Sequence, residues 1–401
     1  MAIEAQRDAD FLKQMKLVVF SHKPCWRSPS SESGYATDGG FPFQVRALSE
    51  IFAATSLVVP VYSRGPAEGE SPLLGAGLRV RPLTPLGGRG LRRKIAFIPW
   101  ALRNSLVILR QTWMADAVHA PVPGDVGTVG MLCGLLSRKP LFVRHCGNWF
   151  VQRTPAERFW RWFMERFAGG RNVMLATGGG PHPPSARNGN VQWIFSTSLA
   201  ELELRELAKR APGRHGSQRL ITVCRQEPGK GTDVVIRSLP LILGKYRDVC
   251  LDVVGDGSLL ERWRRLAADL GVGQSVVFHG KVGHPRVVEL LRQASVFCFP
   301  TSASDGFPKV VLEAMACGLH VLATPVSVLR ELLEGGGGMV VEERTPEHLA
   351  NLVCACLSDE AGWERMSRRA SQTAQGYSLE RWRDAVADKL RAAWEPRTVR
   401  V

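Results

Sequence analysis

The chain has 401 residues, of which 45% are hydrophobic, so it can bury a large core and form two or three domains. Its nine cysteines are odd in number, lie mostly in apolar runs and show no C-x-x-C pair, which argues against a disulfide framework. The net charge of +15 is uneven, because residues 1–198 hold 24 Lys and Arg against 12 Asp and Glu.

The N-terminal stretch predicts a strand at 15–21, a long loop over 21–40 and a helix from Pro42 onward. Gly39 and Gly40 stand directly before that helix, where the absence of side chains lets a ligand approach the backbone. They are candidate binding residues, with an ordinary turn as the alternative.

Two short buried strands are predicted at 117–120 and 141–143. His145 follows the second strand, next to Gly147, at the edge of an open sheet where ligands bind. His145 is therefore a candidate site residue, whereas a structural role is preferred for His119.

A capping box at 154–157 predicts a helix that stops at Gly169, with an aromatic face opposite a face rich in arginine. This helix, the basic segment 89–94 and the apolar run that ends at Trp113 together favour a surface that binds anionic lipid. The alternative is that the aromatic face of the helix packs as an ordinary core face. The apolar residues 95–114 are interrupted by two arginines and predict no clean spanning helix. Nucleic acid would accept the same charge, but no nucleic-acid motif accompanies it.

Residues 211–217 are rich in Pro, Gly and polar side chains and predict a linker. A strand at 220–224 and a helix from Thr232 follow, with Arg225 and Lys230 in the loop between them. Two cations at a helix entrance would stabilise a diphosphate, Arg through a fork of donors and Lys as a point charge.

The later part of the chain continues to alternate strands and helices, which predicts an α/β fold. The predicted elements are a strand with a Gly turn at 250–257, a helix at 259–271, a strand at 276–279 and a final helix at 379–394.

Residues 295–324 predict a strand, a helix that begins at Pro308 and stops at Gly318, and a second parallel strand. Asp305 lies in the loop and Glu313 in the second turn of the helix, so both carboxylates can face one crevice. The N–H groups at the start of that helix suit a diphosphate, and carboxylates beside an anion site need donors such as sugar hydroxyls.

The pattern of residues 305–318, Asp-Gly-Phe followed by Glu-Ala-Met-Ala and Gly, resembles the acidic-x7-acidic signature of the retaining glycosyltransferases of family 4, the glycosyl transferases group 1. That family usually has Glu where this chain has Asp305, which keeps the charge but can change the hydroxyl that is reached. The resemblance is strong over residues 219–376 and looser before them.

The resemblance implies the GT-B fold, in which two Rossmann-like, doubly wound parallel-sheet domains face a cleft. It implies an acceptor-binding domain at residues 1–210, a nucleotide-sugar-binding domain at 211–376, and a C-terminal helix within 377–401 that crosses back to the first domain. The segment 280–283 resembles the family's nucleobase pocket.

The resemblance also implies roles for individual residues. In the catalytic group, Arg225 and Lys230 would clamp the donor phosphates, Asp305 would orient the sugar, and His145 would contact a hydroxyl of the sugar or the acceptor. Glu313 would hold the ribose, and Gly39 and Gly40 would approach the donor phosphate. The remaining donor-binding candidates are Gly306, Phe307 and Lys309.

No metal and no cofactor are predicted, because the Asp8-Ala9-Asp10 triplet precedes the first strand instead of ending one and no other acid cluster follows. The expected activity is retaining, metal-independent transfer of a hexose from a UDP- or GDP-sugar to a glycan or lipid-linked acceptor, in bacterial surface glycan assembly. A cytoplasmic protein, peripheral on the inner face of the membrane, is expected. A nucleotide-sugar epimerase and a non-catalytic nucleotide-sugar binder stay open as alternatives.

Overall fold

A computed structural model describes residues 11–63, 65, 70–88, 90–209, 218–302 and 307–395. The chain forms two compact units, the first from residues 1–198 and 379–401 and the second from residues 199–378.

The boundary between the units falls twelve residues before the predicted one, because the helix at 201–209 belongs to the second unit. Leu204 and Leu207 of that helix are buried, and the Leu204 carbonyl accepts a 2.9 Å hydrogen bond from the Gln375 amide. The predicted linker at 211–217 lies outside the described residues.

The first unit contains ten strands among its described residues. They are β1 (Lys16–Phe20), β2 (Cys25–Arg27), β3 (Tyr35–Asp38), β4 (Ala54–Tyr62), β5 (Glu70–Pro72), β6 (Leu78–Leu83), β7 (Ala117–Val122), β8 (Leu141–His145), β9 (Asn172–Thr177) and β10 (Val191–Ile194). Parallel pairing runs in the order β6-β4-β1-β7-β8-β9-β10, which is the order of a doubly wound Rossmann-like sheet.

The predicted continuous loop over 21–40 is wrong, since β2 and β3 lie within it. β4 extends four residues beyond the end of its pairing with β1, and β2 pairs with that extension through Cys25 and Trp26. Both residues are buried, so the added strands complete backbone hydrogen bonding and cover apolar area at once.

The second unit contains six parallel strands among its described residues: β11 (Arg219–Val223), β12 (Cys250–Val254), β13 (Val276–Gly280), β14 (Val296–Phe299), β15 (His320–Ala323) and β16 (Gly338–Val340). Their order is β13-β12-β11-β14-β15-β16. The order reverses between β11 and β14, so a crevice opens at the carboxyl ends of these two strands. The predicted strand with a Gly turn over 250–257 is confirmed, since β12 ends at Val254 and Gly255 adopts a φ of 117°.

The helices cover both faces of each sheet. They are α1 (Phe41–Ser49), α2 (Gly90–Met114), α3 (Asp125–Leu136), α4 (Pro155–Phe167), α5 (Glu201–Lys209), α6 (Thr232–Leu243), α7 (Leu260–Asp269), α8 (His284–Gln293), α9 (Lys309–Ala316), α10 (Leu329–Leu332), α11 (Pro346–Ser358), α12 (Glu360–Gln375) and α13 (Leu379–Trp394). Short 3-10 helices lie at Leu12–Gln14 and Gly273–Ser275, and a π-helical turn lies at Leu333–Gly337.

The first unit has one apolar layer on each face of its sheet. α1 and α13 supply side chains to one layer, and α2, α3 and α4 supply them to the other. Trp382 of α13 is fully buried in its layer, and the Arg144 guanidinium lies 5.2 Å from its ring centroid.

We expect Trp382→Ala to lower the free energy of unfolding of the first unit by about 3–5 kcal/mol, because a buried Trp leaves a large cavity. The exposed Asp388 of the same helix is the control, and Asp388→Ala should change this free energy by less than about 0.5 kcal/mol. Urea denaturation followed by circular dichroism measures both. Equal changes in the two variants would show that α13 does not stabilise the unit through this core.

Candidate functional site

The loop between β11 and α6 is held by Gln226, whose side chain is fully buried. The Gln226 amide donates to the carbonyls of Cys224 at 3.0 Å and Val254 at 3.3 Å, and its oxygen accepts from the Thr232 hydroxyl at 2.8 Å. Its backbone N–H donates to the Asp256 carbonyl at 2.9 Å. The loop is thereby attached to the ends of two strands and to the start of α6.

The two predicted cations lie on this restrained loop in different environments. Arg225 is exposed, whereas Lys230 is only 8% exposed. Between them, Glu227 accepts hydrogen bonds from the backbone N–H and the hydroxyl of Ser258, and these bonds lower the pKa of Glu227. The loop therefore presents one exposed and one buried positive charge at the carboxyl end of β11.

The loops that follow β11 and β14 are joined by backbone contacts. The Gly229 carbonyl accepts from the Ser302 N–H at 2.7 Å and from the Thr301 hydroxyl at 3.2 Å. Gly231 has a φ of +91°, and a Cβ on it would lie 2.3 Å from the Pro300 carbonyl oxygen. That oxygen also accepts a 2.7 Å hydrogen bond from the Arg344 guanidinium. The two loops at the reversal of strand order thus behave as one element.

Asp305 and Gly306, the predicted residues in the next part of this loop, lie outside the described residues. Helix α9 begins at Lys309, so Pro308 is the N-cap residue and not the first helical residue as predicted. Phe307 is buried, with its ring 5.8 Å from that of Tyr377, and Lys309 is half-buried. The Val311 N–H donates to the Pro308 carbonyl at 3.1 Å, and the start of α9 carries the positive end of the helix dipole.

Glu313 of α9 is buried and faces the start of α8, where its Oε1 lies 3.3 Å from Nε2 of His284. This hydrogen bond raises the pKa of His284, and the charges of Glu313 and of Glu203 raise it further. Burial raises the pKa of Glu203. Glu313 therefore lies next to the segment 280–283 that the sequence marks as a base pocket.

Asp252 is a fully buried carboxylate in β12 that sequence analysis missed, although an acid inside an apolar run is itself a signal. Its oxygens accept from Nε2 of His279 at 2.7 Å and from the Arg219 guanidinium at 2.5 and 3.3 Å. His279 immediately precedes the segment 280–283. Asp252 thus anchors the end of β13 that leads into the predicted base pocket.

His145 ends β8 in the first unit and is 4% exposed. Its Nδ1 lies 3.2 Å from the Gly147 carbonyl, and the ring meets the edge of Trp149. Burial lowers the pKa of His145 to about 4, so the imidazole is neutral at pH 7. His119 is buried with Nδ1 2.9 Å from the Phe142 carbonyl, which confirms its predicted structural role.

Gly39 and Gly40 precede α1 as predicted. Gly39 has a φ of +68°, and a Cβ on it would have only the Lys23 ammonium within 4.0 Å. Lys23 forms an ion pair with Asp38. The space beside Gly39 is therefore open, and a cation that the sequence did not mark lies beside it.

Among residues 11–63, 70–209, 218–302 and 307–395, as far as they are described, no three His, Cys, Asp or Glu side chains are grouped as metal ligands. The Asp8-Ala9-Asp10 triplet lies outside the described residues. Within the same parts of the chain, no helix combines the length and apolar character needed to span a membrane.

Residues 205–375 match the family model described as Glycosyl transferases group 1. The GDP-mannose-dependent alpha-(1-6)-phosphatidylinositol monomannoside mannosyltransferase of Mycolicibacterium smegmatis is 31% identical over 179 residues, which cover 42% of this chain and 46% of that protein. The chain thus spans less than half the length of this relative. The D-inositol 3-phosphate glycosyltransferase of Corynebacterium urealyticum is 25% identical over 88% of this chain and 90% of that protein.

Among solved structures, Anabaena Alr3699/HepE in complex with UDP and glucose superposes with a TM-score of 0.68 at 17% identity, over 94% of this chain and 100% of that one. This likeness confirms the predicted GT-B fold.

We expect Gly231→Ala to lower the free energy of unfolding of the second unit by about 1 kcal/mol more than Gly271→Ala, as measured by urea denaturation. Both glycines have positive φ, but a Cβ at Gly231 meets the Pro300 carbonyl, whereas at Gly271 nothing lies within 4 Å. Gly271→Ala is therefore the control for backbone strain alone. Similar decreases in the free energy of unfolding of the two variants would disprove the tight contact between the loops.

The His284 imidazole should titrate above 6.5, the ordinary histidine pKa, in an NMR titration of the intact protein. Because the folded-state pKa is raised, the stabilisation from this pair is complete below pH 6.5 and is lost as pH rises through the raised pKa. Glu313→Gln should return the pKa toward 6.5, and Glu203→Gln should lower it less. A pKa of His284 that is insensitive to Glu313→Gln would rule out the pairing.

Proposed function

We propose, from the match of residues 205–375 to the glycosyl transferases group 1 family model, that this chain is a retaining, metal-independent hexosyltransferase. The donor is a UDP- or GDP-sugar, and the acceptor is a glycan or a lipid-linked saccharide. The assignment to family 4 of the glycosyltransferases is part of the same proposal.

The observation that carries the proposal is the joining of two loops at the point where the second sheet reverses its strand order. Through Gly229, the loop with Arg225 and Lys230 is bonded to the segment that leads to α9. In the proposal, two cations and a helix N-terminus line one crevice. This arrangement suits a diphosphate, because each of the three features favours negative charge.

The position of Glu313 supports a nucleoside on the other side of that crevice. Its carboxylate lies beside His284 and the predicted base-pocket segment 280–283, and a carboxylate there can accept hydrogen bonds from both ribose hydroxyls. The M. smegmatis relative is described as GDP-mannose-dependent and the Anabaena structure contains UDP, so both nucleotide series are candidate donors.

In the proposed reaction, the bond between the anomeric carbon and the diphosphate oxygen breaks, and the leaving diphosphate keeps the electron pair. Arg225 and Lys230 stabilise the charge that develops on it. The acceptor hydroxyl attacks the same face of the sugar and passes its proton to the leaving phosphate oxygen, which retains the anomeric configuration. No metal is required, since the two cations supply the charge stabilisation.

The remaining predicted residues keep their roles within this proposal. Asp305 orients the sugar, and Gly306, Phe307 and Lys309 form the donor side of the α9 entrance. Gly39 and Gly40 approach the donor phosphate, and His145, as a neutral imidazole, hydrogen-bonds a sugar or acceptor hydroxyl. A lipid-linked acceptor is favoured because the M. smegmatis relative is described as acting on a phosphatidylinositol monomannoside.

Thermal stabilisation by a panel of UDP, GDP, ADP and their sugars, with EDTA or with Mg²⁺, tests the donor. A ligand that binds only the folded state raises the melting temperature. We therefore expect one nucleotide series to raise the melting temperature by the same amount in EDTA as in Mg²⁺. An isomerised nucleotide sugar formed without acceptor would identify an epimerase. A thermal shift without turnover on any acceptor would indicate a non-catalytic binder.

Arg225→Ala and Lys230→Ala should each lower kcat about 10²-fold or more, because each removes a charge that stabilises the leaving diphosphate. Lys245→Ala is the matched control, since Lys245 is an exposed cation of the same unit that lies away from the crevice. Steady-state assays with the donor found above measure all three. Unchanged kcat in both loop variants would overturn the clamp, whatever the donor.

A further inference from the structure

A stripe of exposed apolar side chains runs the length of α2 in the first unit. We call it the apolar stripe; its members are Ile95 (67% exposed), Ile98 (67%), Leu102 (71%), Leu106 (81%), Leu109 (62%) and Trp113 (82%). Intervals of three and four residues place them on one face of the helix. Trp100, Asn104 and Ile108 are buried on the opposite face, so the stripe points away from the core.

Positive charge borders the apolar stripe. Residues 90–114 contain five Lys and Arg and no Asp or Glu. Arg92, Arg103 and Arg110 are exposed and separated by eleven and seven residues, about three and two helical turns, so they align along one edge of the stripe. Lys94 lies at the other edge.

The neighbouring helices extend the same surface. A groove of about 750 Å³ is lined by Leu109 and Trp113 of α2 and by Leu136 of α3, which is itself 81% exposed. The Lys139 ammonium, in the same groove, donates to the Trp113 carbonyl at 2.8 Å and fixes the end of α2. At the other end, Phe97 and Phe159 line a second groove between α2 and α4.

We propose that the apolar stripe and its arginine edge dock the first unit on the surface of an anionic lipid bilayer, with α2 lying in the plane of the interface. Apolar side chains enter the boundary of the acyl chains, while arginines meet the lipid phosphates. A second copy of the chain fits this surface poorly, because a two-fold contact along α2 would place its cations against each other without an acid on that helix. The proposal does not depend on the proposed function, since it needs neither donor nor acceptor.

Co-sedimentation of the full chain with vesicles tests the docking. The wild-type protein should bind vesicles of equal phosphatidylcholine and phosphatidylglycerol at least tenfold more tightly than pure phosphatidylcholine vesicles, and high salt should weaken this binding. Leu102→Gln with Leu106→Gln should weaken binding about tenfold or more. Leu202→Gln with Leu241→Gln, which removes two exposed leucines from the second unit, is the matched control and should bind like wild type.

A second pair of variants separates the position of charge from its amount. Arg103→Gln with Arg110→Gln should weaken binding to anionic vesicles about tenfold or more, whereas Arg265→Gln with Arg368→Gln removes as much charge from the second unit and should not. Equal losses in both pairs would mean that net charge alone attracts the protein and would overturn the docking. Sedimentation equilibrium that shows a dimer which Leu102→Gln with Leu106→Gln dissociates would also overturn it.

Discussion

The contact between Gly231 and the Pro300 carbonyl is the constraint on which the candidate site depends. In a sheet whose strand order reverses, the loops of the two central strands leave in opposite directions, and a crevice opens between them. Here the absence of a side chain at Gly231 lets the two loops meet, and hydrogen bonds to the Gly229 carbonyl hold them together. The loop that carries Arg225 and Lys230 is therefore attached to the segment that follows β14 before any ligand binds.

Two buried carboxylates of the second unit are each paired with a partner from a distant part of the chain. Asp252 is bonded to His279 and Arg219, and Glu313 to His284. An unpaired charge at such depth would be strongly destabilising, so each pair restricts the backbone that carries it. Both pairs border the segment 280–283 and restrict the two ends of that loop.

Much of the fold could be predicted from sequence, because hydrophobic periodicity, helix caps and glycine stops depend only on neighbouring residues. The strands predicted at 220–224 and 276–279, and the helices predicted from Thr232 and at 379–394, form where these signals place them. β2 could not be predicted, since it forms on an extension of β4 more than thirty residues later in the chain. Arg225, Lys230 and Glu313 were marked by their neighbours in sequence. Glu203 and Lys23 were not, because only tertiary packing brings them to Glu313 and Gly39.

The two units of the chain differ in how their positive charges are arranged. Residues 1–198 carry twelve of the fifteen surplus charges, and α2 spreads its five cations along an exposed apolar face, where an extended anionic surface can meet all of them. The remainder of the chain is close to neutral, yet it holds Arg225 and a nearly buried Lys230 on a single loop. Burial strengthens the interaction of such a charge with an anion, because less water screens it. In the proposed function, recognition of a diphosphate by the second unit rests on two cations and a helix end. The proposed docking of the first unit rests instead on cations aligned along an exposed apolar face.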